Sequence, residues 1–340
     1  MASPPAWESF PNQELLQWRL CDLGLQIEGT SLEKPINRLY KELAARNLRV
    51  KPHCWLSEEW FSPDGIPGIA IPFYLAHPRL KRLERTQILE VEGGTNAECL
   101  RLLRHEAGHA VQHAFRLQRR KKWRELFGSS AEPYPDYYQP NPGSLRYVVH
   151  LPHWYAQSHP DEDFAETFAV WLTPGSHWRR KYLGWPALKK LRYVDELMQE
   201  LAGQSPPVRS RAKPDPVHRI KTTLGDHYRA KRERYLVLAS RAYDQDLLRF
   251  FTPNKESTSR SPSAAAFLRS HRAEIRRMVA RSSGKHELAL DTVLGEMIAR
   301  CRELKLRAVG RQRDLVINFA ILLAARSAEF VYRGRGWHAL

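Results

Sequence analysis

The segment Leu102 to Val111, LLRHEAGHAV, constrains this 340-residue chain more than any other. His105 and His109 are four residues apart. On a helix that spacing points both imidazoles from nearly one face, one turn apart, so both can bind a single ion. Neutral imidazole suits Zn²⁺, and a third protein ligand would still leave one position for water. Glu106, the next residue along, is near enough to take a proton from such a water without ligating the ion. HExxH is a short motif in a chain with 14 histidines, so its context must carry part of the inference. The motif lies in a stretch that predicts a helix over about 96–119, opened by Thr95 and Glu98 as a capping box. Gly108 stands between the two histidines, where a small residue lets another element approach closely.

A third ligand is expected from SHPDEDFAETFAVWL, residues 158–172. This segment predicts a helix starting near Ser158, with Pro160 in its first turn, running to about Leu172 and stopped by Pro174-Gly175. Acids in a first turn favour the helix dipole, which accounts for Asp161 and Asp163 as capping residues. It does not account for Glu166, which falls one turn in among Phe164, Ala165 and Phe168, where a carboxylate requires a partner. The residues alone leave open whether Glu162 or Glu166 would face an ion.

HEAGH followed about fifty residues later by YAQSHPDEDFAETFAVWL resembles the gluzincin metallopeptidases. More closely it resembles a bacterial family of zinc-binding metallopeptidases that carries a very similar HP-x-E-D-x-A-E-T motif. RELFGSS and the Tyr-rich loop after it fit that family too, and the resemblance covers about residues 60–200. It implies a zinc-dependent peptidase in which His105, His109 and Glu162 hold Zn²⁺, Glu106 is the general base and Glu166 orients one histidine. The inverse assignment, Glu166 on the metal, stays open. The resemblance extends to a tyrosine placed before the glutamate ligand and so favours Tyr155 as the donor to the oxyanion, with His153 and His159 as rivals. The implied fold class is α+β and helix-dominated. In it a zincin-like domain has a small, mostly antiparallel sheet over the HExxH helix and a helical lower half carrying Glu162. GIPGIAIPFYL, Gly65 to Leu75, predicts a strand at the sheet edge because Pro67 and Pro72 cannot donate to a ladder. An extended peptide could add there as a further strand. The Gly-, Pro- and Tyr-rich stretch 127–152 predicts a long loop, a candidate cleft wall.

The rest of the chain predicts a helical segment over 1–49, a catalytic domain over 50–204, a linker SPPVRSRAKPDP over 205–216 and a basic helical domain over 217–340. Helices are expected over 186–202 and near 219–250, 264–282, 287–308 and 311–332, with NKESTSRSPS as an exposed loop. The net charge of +17 is uneven: residues 205–340 carry 28 Lys+Arg against 13 Asp+Glu, and residues 1–204 carry 26 against 24. Runs such as RAKRER (229–234), RSHRAEIRR (269–277) and RGR (333–335) supply the excess. Arginine spaced through amphipathic helices reads first as a solvated face, and no nucleic-acid-binding motif is present. A nucleic-acid partner, or an acidic protein held by residues 205–340, is the alternative that this charge leaves open. LVINFAILLAA, Leu315 to Ala325, is too short to span a bilayer and predicts a buried helix. The first residues lack the basic start and apolar run of a signal peptide. Cys21, Cys54, Cys99 and Cys301 form no CxxC and predict reduced thiols in a cytoplasmic protein.

Overall fold

The computed structural model describes residues 5–135, 138, 141, 143–235, 243–253 and 261–332. The chain divides into two compact units after Arg229. The first unit holds strands β1 (His53–Ser57) and β2 (Gly68–Pro72). Its helices are α1 (Asn12–Leu15), α2 (Glu33–Ala45), α3 (Pro78–Ile88), α4 (Asn96–Phe115), α5 (Lys121–Phe127), α6 (Pro160–Leu172), α7 (Trp178–Lys181), α8 (Ala187–Leu201) and α9 (Leu224–Tyr235), the last running past the division.

α4 is the element on which the others are laid. It packs against α2, α6 and β2, burying Leu103, Ala107, Ala110, Val111 and Ala114. Its start is the expected capping box: Thr95 Oγ1 accepts from the Glu98 N–H at 3.2 Å, and Glu98 Oε2 accepts from the Thr95 N–H at 3.1 Å. Its end comes earlier than 119, because Arg116 turns into the left-handed region (φ 54°) and a short 3-10 turn, Leu117–Arg119, follows. Glu42 on α2 accepts two hydrogen bonds from Arg104 at 2.8 Å, fixing the two helices side by side.

The sheet departs from the mostly antiparallel arrangement expected. β1 and β2 pair in parallel, with Trp55 opposite Ala70. The reason lies in where the chain turns. A tight turn at Pro63–Ile66, closed by Ile66 N–H to Pro63 O at 3.1 Å with Gly65 at φ 68°, folds Phe61 back antiparallel onto Ala70. β1 lies at the other edge of β2 and runs in the same direction. β2 is therefore flanked on both sides at Ala70 and entirely buried, rather than being the free edge its prolines suggested.

Residues 205–216 carry no helix or strand, yet they are fastened to the first unit. Trp55 Nε1 donates to Pro214 O (2.9 Å), Ser57 Oγ to Asp215 O (2.7 Å) and the Val208 N–H to Ala114 O (3.1 Å). The N-terminal segment is tied in as well, through Leu20 N–H to Thr222 O and Leu224 N–H to Trp18 O.

The second unit contains α10 (Asp244–Phe250), α11 (Ala264–Ser270), α12 (Arg272–Ser283), α13 (Glu287–Glu303) and α14 (Gln312–Tyr332), with a short antiparallel ladder between β3 (Thr252–Pro253) and β4 (Leu306–Arg307). Its core gathers Leu247, Phe251, Leu268, Ile275, Leu294, Met297, Phe319 and Leu323. The apolar run in α14 is buried on one face only, since Ile317 and Ile321 are exposed. No helix among the described residues is long and apolar enough to cross a membrane. Most of the NKESTSRSPS stretch (254–260) and the RGR run lie outside the described residues.

Candidate metal centre

α4 and α6 cross at Gly108. A Cβ built there would stand 2.7 Å from Ala165 Cα and 3.0 Å from Ala165 O, so only glycine lets the two backbones meet this closely. That approach brings the first two turns of α6 onto the histidine face of α4. His105 Nε2 and His109 Nε2 are 3.2 Å apart, and Glu162 Oε2 lies 2.9 Å from the first and 3.2 Å from the second. All three side chains are buried, and among the described residues they form the one His/Cys/Asp/Glu cluster compact enough to hold a metal ion.

The donor set fits zinc. A tetrahedral ion with bonds of about 2.0–2.1 Å spaces its ligands about 3.3 Å apart, close to the separations here. The tautomer fits too. His105 Nδ1–H donates to Glu166 Oε1 at 2.9 Å, which turns the Nε2 lone pair toward the other donors. The second oxygen of Glu166 accepts the backbone N–H groups of His150 (3.1 Å) and Leu151 (2.8 Å). Glu162 thus lies on the Nε2 side of His105 and Glu166 on the Nδ1 side, both of its oxygens engaged.

Charge within the cluster is mutually supported. Burial opposes ionisation of Glu162, but His109 and His105 more than offset it and hold its carboxyl well below the usual range. Burial likewise opposes charge on His105, and Glu162 and Glu166 override it, raising its pKa well above the ordinary value. A metal at Nε2 would take the place of that proton. Glu106 is buried beside them. Burial raises its pKa against the opposing pull of His105 and His109, and its Oε2 has no hydrogen-bond partner. A buried carboxylate oxygen left unpaired beside a donor cluster is suited to a bound water or a transferred proton.

The remaining candidates fall out differently. Tyr155, on a 3-10 turn at Pro152–Gln157, lays its ring 5.5 Å from that of His105, centroid to centroid. His159 is the N-cap of α6: Nδ1 accepts from the Asp161 N–H at 3.2 Å and Nε2 donates to Glu132 O at 2.9 Å, so both nitrogens are engaged away from the cluster. The side chain of His153 lies outside the described residues. Asp161 and Asp163 are not caps. Asp161 accepts from Gln112 and Ser130, both at 2.8 Å, and Asp163 pairs with Lys190 of α8.

Sequence reasoning missed Tyr134. Its hydroxyl donates to Glu162 Oε1 at 3.0 Å, and its ring stacks on His159 at 3.8 Å. The Tyr-rich composition of the loop was the available signal, but no spacing rule ranks one tyrosine of that loop above another.

Residues 95–175 match the family described as "Putative zinc-binding metallo-peptidase". This is the family the two motifs resemble. The match begins at the cap of α4 and ends just beyond α6, so it contains every member of the cluster and both of the supporting residues Tyr134 and Glu166. No curated protein and no solved structure matches the chain.

Proposed function

We propose that the first unit is a zinc-dependent peptidase of gluzincin type, acting on peptide or protein substrates. The observation that carries this reading is the convergence of His105 Nε2, His109 Nε2 and Glu162 Oε2 to within 2.9–3.2 Å of one another. These three residues would hold the ion, and Glu166 would keep His105 oriented. Bound zinc would supply Lewis acidity, making water a better nucleophile and a carbonyl a better electrophile near pH 7. Glu106 accepts the proton of the attacking water at its unpaired Oε2 and passes it to the leaving amine, a role suited to a carboxyl whose pKa is raised by burial. Tyr155 donates to the developing oxyanion.

The four free cysteines accord with a cytoplasmic setting. In the second unit Arg272, Arg276 and Arg300 are held in ion pairs with Asp291, Glu287 and Asp244, which takes these three cations out of the charge a nucleic acid would neutralise.

The test is Glu106→Ala assayed on a peptide library alongside metal content. The reading expects zinc retained and hydrolysis lost by about 100-fold or more. Full hydrolysis by the variant would overturn the mechanism.

A further inference from the structure

The segment leading out of α5 is laced to the start of α6 by alternate residues. Ser130 Oγ donates to Asp161 Oδ2 at 2.8 Å, Glu132 O accepts from His159 Nε2 at 2.9 Å, and Tyr134 stacks on His159 while donating to Glu162 Oε1 at 3.0 Å. The strap turns at Ser129–Glu132, where the Glu132 N–H donates to Ser129 O at 3.2 Å, and then carries Tyr134 onto α6. Its last tie reaches the cluster itself. Glu162 Oε2 faces both histidines, and Oε1 is occupied by the phenol.

We infer that Tyr134 is a positioning residue for the metal, holding Glu162 so that it binds through one oxygen. This rests on the zinc-site reading above. A carboxylate with both oxygens free can chelate an ion and take a second coordination position, the one a water or substrate carbonyl needs. A charge-assisted hydrogen bond on Oε1 disfavours that mode and fixes the carboxylate plane. The stack on His159 restrains the phenol, because His159 is itself fixed at both nitrogens. Half of Tyr134 is exposed (48%), so the strap closes one side of the cluster without sealing it.

Tyr134→Phe keeps the ring and its stack and removes only the hydroxyl. The zinc dissociation constant, measured by competition with a chelator, should rise about 10–100-fold. Thermal unfolding of the metal-free protein should fall only slightly, by the loss of one half-exposed hydrogen bond, and the Co²⁺-loaded variant should show the weaker visible absorption of a higher-coordinate ion. Wild-type zinc affinity with a wild-type Co²⁺ spectrum would overturn this inference alone. Loss of affinity accompanied by an equal loss of metal-free stability would assign Tyr134 a merely structural role and overturn it too. If the wild type itself bound no zinc, the zinc-site reading would fall and this inference with it.

Discussion

Replacing Gly108 by alanine tests the packing that assembles the cluster. The new methyl would meet Ala165 Cα at 2.7 Å, Ala165 O at 3.0 Å and Ala165 Cβ at 3.2 Å. Ordinary carbon contacts lie at about 3.5–4.0 Å. None of the three atoms belongs to a flexible side chain, so relief requires α4 and α6 to separate by roughly 1 Å. Overpacking of this kind costs about 1–3 kcal/mol, while alanine gains about 1 kcal/mol over glycine in a helix interior. Backbone atoms cannot yield cheaply, which puts the cost at the upper end and the net effect at about 1–2 kcal/mol of destabilisation. For a unit of this size that lowers the midpoint of thermal unfolding by roughly 2–8 °C. The metal site should suffer more than the fold. Ala165 is one turn from Glu162, so the same movement draws the carboxylate away from both histidines. Zinc affinity should fall by about 10-fold or more, as it does when a ligand loses its support. The assays are calorimetry of the metal-free protein and chelator competition for zinc. An unchanged or raised midpoint with wild-type affinity would show that the helix crossing is not what sets the donor geometry.

Three further outcomes follow from the same contacts. Glu166→Ala strands His105 Nδ1–H and the backbone N–H groups of His150 and Leu151; zinc affinity should drop about 10–100-fold by chelator competition, and an unchanged value would remove Glu166 from the site. Lys190→Met leaves Asp163, whose carboxyl burial already raises to about 7 against the pull of Lys190, without its partner; the acid then takes up a proton, and unfolding by denaturant near neutral pH should show a loss of about 1–3 kcal/mol, whereas a neutral result would mean the pair adds nothing. Burial raises the Glu42 carboxyl, but Arg104 and Arg38 outweigh it and hold the pKa below its ordinary 4.5. A depressed acid stabilises the fold above its unfolded pKa and loses that contribution as pH falls through the folded value, so Glu42→Gln should flatten the stability curve below about pH 4.5. A variant as acid-sensitive as the wild type would contradict this.

The geometry of the candidate site was legible in the sequence where chemistry and helical periodicity coincide. His105, Glu106 and His109 share a motif whose spacing is its geometry, and Thr95 with Glu98 announced the helix that carries it. Gly108 signalled a close approach, and Ala165 is what approaches. Which of Glu162 and Glu166 lies on the Nε2 side of His105 is a fact of helix rotation that spacing does not fix. Asp161 and Asp163 looked like caps because their acidity suits a helix start, but side-chain partners from α4 and α8 claimed them and His159 took the cap. Sheet direction was not legible, because it depends on the turn at Pro63–Ile66 falling after Phe61 rather than directly after β1. Tyr134 was hidden for a similar reason: its role depends on the path of a strap set by contacts to α6, not on any local pattern.

The most direct test of the central claim is zinc stoichiometry of the purified wild type beside Glu162→Ala and Glu166→Ala, by elemental analysis after dialysis against a weak chelator. The account predicts one zinc per chain in the wild type, none in Glu162→Ala and a weakened but detectable site in Glu166→Ala. Zinc retained by Glu162→Ala, or absent from the wild type after zinc is supplied, would contradict it.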